Sequence, residues 1–173
     1  MKSRITTLLF LLLAMSGSAF AQEKDWSDDL QFDVEVSLGT RYKGLEQVNL
    51  AADLGYVLFD RVYPYFRTES SLMLYKHDGA KTYGNTGNIG GGLGVILKQW
   101  NTTDSKGYEE PNKLELTANV TTSVGKRDYK NTSYYAGLRF RFDESFVALG
   151  YRYMKSRDDV MPNYSAFVIS IGL

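Results

Sequence analysis

Apolar and polar residues take turns, one by one, in segment after segment of this chain. A period of two places alternate side chains on opposite faces of an extended strand. In the first segment Leu30, Phe32, Val34, Val36 and Leu38 alternate with Gln31, Asp33, Glu35 and Ser37. One such run would suit a soluble sandwich. Repetition along the whole chain is what a closed barrel in lipid demands, apolar side out and polar side in.

Seven further segments follow this rule. Val48, Leu50, Ala52, Leu54, Tyr56 and Leu58 form the second apolar face, before a tight Phe59-Asp60-Arg61 turn. The third sets Val62, Pro64, Phe66, Leu72 and Leu74 against Tyr63, Tyr65, Arg67, Glu69 and Tyr75. The fourth carries Ile89, Leu93, Val95 and Leu97, with Gly90, Gly92 and Gly94 on its other face to make room for Tyr63, Tyr65 and Tyr75. Leu114 to Val124, Tyr134 to Phe142, Val147 to Tyr153 and Phe167 to Leu173 supply the rest. Polar stretches 76–87, 101–112, 126–131 and 156–163 read as connections, and Asp143-Glu144-Ser145 as a short turn. The expected fold is all-β: an antiparallel up-and-down transmembrane barrel of about eight strands.

Residues 1–21 read as a cleaved signal peptide. Lys2 and Arg4 precede the apolar run Ile5 to Met15, and Ala19-Phe20-Ala21 offers a small-residue cleavage site. That run falls short of the ~20 residues a spanning helix needs. The barrel domain is then 22–173. Without Lys2 and Arg4, the balance of 20 basic and 20 acidic residues becomes two negative, which is not a nucleic-acid charge profile. The absence of cysteine rules out disulfides, cysteine-type zinc sites and lipid anchoring through an N-terminal cysteine. No cofactor or metal site is expected.

The inward positions collect Asp33, Glu35, Asp53, Glu69 and Glu115 with Arg67, Lys98, Arg139, Arg141 and Arg152. Isolated charges in so narrow an interior are costly, so each needs a partner. Equal numbers of both signs predict an ion-pair network that plugs the lumen, because eight strands leave just enough room for side chains. A pocket beside the Gly90, Gly92 and Gly94 face is a sharper alternative.

With these segments placed, residues 22–173 resemble the small outer-membrane barrels of the OmpX and OmpA transmembrane-domain type, within the porin-like outer-membrane β-barrels of Gram-negative bacteria. The C-terminal strand carries the likeness: Phe167, Ile169, Ile171 and Leu173 keep the family's alternation, with leucine replacing the usual terminal aromatic. The resemblance implies insertion into the bacterial outer membrane by the barrel assembly machinery, with these four residues as the assembly signal. It also implies a structural or adhesive role.

Catalysis finds little support. His77 is the sequence's single histidine and residue 79 is Gly79, so the His-x-Ser pair of outer-membrane lipid hydrolases fails. His77-Asp78 and Asp158-Asp159 faintly resemble omptin protease pairs, but omptins are larger, ten-stranded barrels. Gly90-Gly91-Gly92 lacks the Lys-Ser/Thr of a phosphate loop. The reading is a non-enzymatic barrel with a structural or surface-interaction role; a small channel for polar solutes is the alternative, and an enzyme acting on lipid or peptide the third.

The charges sort by side. The outer loops and rim are basic, with Arg41, Lys43, Lys126, Arg127, Lys130, Lys155 and Arg157 among their residues, while the opposite end is acidic. Lysine and arginine bind phosphate oxygens through charge-assisted hydrogen bonds. The expected partners are therefore outer-membrane lipid and lipopolysaccharide, with Lys126, Arg127 and Lys130 as the contact.

Overall fold

A computed structural model describes residues 29–42, 45–77, 80–103, 107, 109–125, 128–142, 145–158 and 160–173. The signal peptide, the cleavage site and Lys126 and Arg127 lie outside them. Eight strands follow in chain order: β1 (Leu30–Tyr42), β2 (Leu45–Tyr56), β3 (Val62–His77), β4 (Ala80–Thr103), β5 (Glu109–Val124), β6 (Asn131–Phe142), β7 (Ser145–Ser156) and β8 (Tyr164–Gly172). Each pairs antiparallel with its neighbour, and β1 closes on β8 in a barrel. The expected all-β, eight-stranded antiparallel up-and-down barrel is the fold observed.

Closure joins Glu35 to Gly172 and Gly39 to Val168, with the rungs between. Leu173 continues the seam: its N–H donates to Val34 O at 3.0 Å and its carbonyl accepts the Val34 N–H at 2.8 Å. The seam thus runs from Val34 to Gly39 on β1 and closes the sheet on itself.

The alternation becomes two walls. Phe32, Leu38, Phe66, Leu149, Phe167, Ile169 and Ile171 face outward and are exposed, while Asp33, Glu35, Arg67, Glu69 and Val168 face inward and are buried. Between β2 and β3 the chain reverses at Phe59 and Asp60, both at positive φ (54° and 57°). That left-handed pair is the backbone of a tight hairpin turn whose twist matches its strands. The Arg61 N–H donates to Leu58 O at 3.2 Å.

Two expected connections are strand instead. The β3–β4 ladder runs on to His77 opposite Ala80, so most of 76–87 is paired. The β4–β5 ladder runs to Thr103 opposite Glu109, shortening the 101–112 connection to 104–108. Both hairpins project past their neighbours: β2 reaches β3 only to Leu74, and β6 meets β5 only from Asn112. Hydrogen bonding extends strands there without any apolar face to mark them.

The lumen as candidate functional site

The interior is built in layers. Nearest the start of β1 and the end of β8, Tyr63, Tyr65 and Ile96 form an apolar floor with Val57 against it. The Tyr63 ring lies where a Cβ on Gly94 would be, and the Tyr65 ring where one on Gly92 would be. These two glycines therefore give the expected room to the tyrosines. The Tyr75 side chain lies outside the described residues. A cleft among Gln31, Asp33, Asp53, Tyr63, Tyr65 and Arg139 has no room for a water-sized sphere.

Above the floor come the charges. Arg141 grips Asp33 with two hydrogen bonds of 2.9 Å and donates from Nε to Glu115 at 3.3 Å. The Tyr63 hydroxyl donates to the other Glu115 oxygen at 2.6 Å. Arg139 reaches across the lumen to Asp33 at 2.6 Å and to Glu35 at 3.4 Å. Arg67 is the hub, holding Asp53 at 2.8 Å, Glu35 at 3.1 Å and Glu69 at 3.4 Å. Arg152 completes the chain with a two-pronged grip on Glu69, at 3.0 and 2.9 Å. Planar guanidinium suits this work because it presents several donors in one fixed fork.

Phe146 supplies a further contact, with the Arg139 guanidinium 4.0 Å above its ring and that of Arg141 at 5.3 Å. Such stacking is worth more away from water.

Nine of the ten residues expected in the lumen are buried there; Lys98 is not. A bulge between Ile96 and Lys98 shifts the β4 register, so Ile96 opposes Glu115 but Lys98 opposes Leu114. The extra residue reverses the alternation. Ile96 stays inside, while Lys98 turns outward, its Nζ 5.6 Å from the centre of the Trp100 ring. The expected even balance is corrected: five carboxylates face four guanidiniums among the described residues.

Toward the loop end the charges give way to Ser37, Asn49, Ser71 and Asn88. The Ser71 hydroxyl lies between Asn49 Oδ1 at 2.6 Å and Glu69 Oε1 at 3.0 Å, sharing its one hydrogen and tying this layer to the ion pairs. An apolar cap then closes the barrel: Leu45, Met73, Tyr129, Met154, Met161, Tyr164 and Ala166. Tyr129 and Met161 come from the β5–β6 and β7–β8 connections, which fold into the mouth. Burial there pushes the Tyr129 phenol above its ordinary pKa.

This cap is only half visible in the alternation. Met73 and Met154 stand at inward positions of the alternation, so parity would have found them. Tyr129 and Met161 belong to connections, where no period exists to follow.

The C-terminal residues Phe167, Ile169, Ile171 and Leu173 all face outward. Of the proposed lipopolysaccharide contacts, Lys130 is exposed at the loop end.

No family model and no curated protein matches this sequence. Among solved structures, the chain is similar to the N-terminal β-barrel domain of Pseudomonas aeruginosa OprF. Identity is 15% and the TM-score 0.40, over 82% of this chain and 94% of that one.

Proposed function

We propose that this chain is an outer-membrane barrel that crosses the bilayer on its eight strands, with a side-chain-packed lumen and a structural or surface-interaction role without catalysis. One observation carries the reading: the barrel is inverted, with ion pairs inside and large apolar side chains outside. Phe32 is 64% exposed, Phe167 62% and Ile171 61%. Soluble monomers rarely expose contiguous apolar patches beyond a few hundred Å².

The height of the band fits a membrane. On β6 the outward column runs from Tyr134 to Phe142, which at ~3.3 Å per residue and ~40° of tilt is about 20 Å. Aromatic rings mark both limits. Trp100 and Phe142 each pack on Phe140 at one end, with centroids 5.2 and 4.3 Å apart, and Tyr134 stacks on Tyr153 at 6.3 Å at the other. Amphipathic rings favour the two interfaces. In this placement the termini face the periplasm, and the barrel assembly machinery would read the β8 column.

The packed lumen argues against conduction, since every layer from Tyr63 to Tyr164 is occupied. It also argues against chemistry there, because each of its carboxylates is held by an arginine. Reconstitution into planar lipid bilayers tests the reading. Insertion without stable unitary conductance is expected; discrete, reproducible channel openings would replace it with a channel.

A further inference from the structure

The outer wall at the loop end holds a cationic cluster that the lumen does not use. Outward positions on β6 include Thr132 and Tyr134, with Lys130 just before the strand; on β7 they include Lys155 and Tyr153, with Arg157 just after it. Register places Thr132 opposite Lys155 and Tyr134 opposite Tyr153. The Arg157 N–H donates to Lys130 O at 2.8 Å, adding one more rung above them. Three exposed cations thus share one face, directly above a stacked tyrosine pair.

The backbone beneath them is pinned. Asp158 accepts the Lys130 N–H at 2.6 Å and the Val160 N–H at 3.3 Å, and its negative charge offsets part of the cluster. Asp128 is likewise engaged, accepting the Asn85 N–H at 2.8 Å. Arg157 reaches sideways to Thr122 on β5, donating to its Oγ1 at 2.8 Å and extending the positive face over three strands. Beside and below the tyrosines the same wall is apolar, with Val120 opposite Tyr134 and Leu138 and Tyr151 exposed further down.

We propose that Lys130, Lys155 and Arg157 bind the phosphate of a membrane lipid whose acyl chains lie along the wall below. The assignment rests on the membrane reading above. Cations over an apolar wall match an amphiphile with an anionic head, and the Tyr134–Tyr153 pair sets the head at the interface. Lipopolysaccharide, with phosphates close to its acyl chains, meets this description in the outer leaflet. A free anion would gain nothing from the wall.

The test uses the full mature chain with fluorescent lipopolysaccharide as probe, in uncharged detergent micelles at low and high salt. The triple variant Lys130→Gln/Lys155→Gln/Arg157→Gln should bind at least ~10-fold more weakly at low salt, and the gap should narrow as salt screens the charges. Lys98→Gln, at the opposite end of the wall, should bind as the parent does. Equal binding by triple variant and parent overturns the site. Competition by inorganic phosphate at low millimolar concentration, against matched chloride, overturns the lipid as its source. Insertion into phosphatidylcholine vesicles is scored alongside by migration of unheated samples. A parent that fails to insert removes the membrane reading itself, whereas one that inserts while the triple variant binds normally removes this site alone.

Discussion

Arg67 is 2% exposed and contacts three carboxylates, so its charge exists in the lumen only on their terms. Removing one member of such a group strands its partners, typically at ~3–5 kcal/mol. The same holds for Arg139, and there the pairing itself is testable. Read from the sequence, Glu115 on the neighbouring strand is the partner of Arg139 or Arg141; Arg141 does hold it, and backbone register sets it opposite Arg139. The Arg139 side chain instead crosses the lumen to Asp33 on β1, and Glu115 goes to Arg141 and Tyr63. A double-mutant cycle of Arg139→Ala with Asp33→Ala should show coupling of ~1–3 kcal/mol, against a few tenths with Glu115→Ala. Urea unfolding in lipid vesicles gives the numbers; stronger coupling to Glu115 would restore the cross-strand pairing. Alternation identifies which side chains point inward. It carries no information about which of them meet across a narrow cylinder.

The bulge in β4 shows the same limit at the level of an element. Periodicity reads parity from a run of alternating residues, and one inserted residue reverses it without altering composition. Single-cysteine variants in this cysteine-free chain make the shift measurable. Ile96→Cys should resist a water-soluble maleimide and Lys98→Cys should react readily; equal reactivity would mean that the ladder continues without a bulge. The hairpin ends escaped notice for a related reason. Where β3–β4 and β4–β5 rise beyond their neighbours there is neither a packed lumen nor an apolar outer wall, so both faces take polar residues. Polar sequence then reads as loop although the ladder persists. The eight segments, their order and their antiparallel pairing were legible because a one-sided wall imprints itself on every second residue.

For the molecule as a whole, the outer wall is the testable surface. In a bilayer, Ile169→Arg should cost up to ~2–4 kcal/mol near the midplane. Thr103→Arg, on the exposed end of the β4–β5 hairpin, should cost almost nothing. The difference in urea midpoint between the two refolded barrels checks this, and equal tolerance would reverse the assignment of inside and outside. The ion pairs also bear on how the cylinder comes together. Asp33 meets Arg139 and Arg141 across sequence separations of 106 and 108 residues. Neighbouring strands can zip in any order, but Asp33 stays without its arginines until the first strand has come round to face the sixth. An unclosed sheet would leave that carboxylate unpaired, which is costly wherever water is excluded. The seam and the pairs from β6 to β1 therefore complete together, late in assembly. Such long-range closure makes for slow folding, and a barrel once closed has no inexpensive way to begin opening.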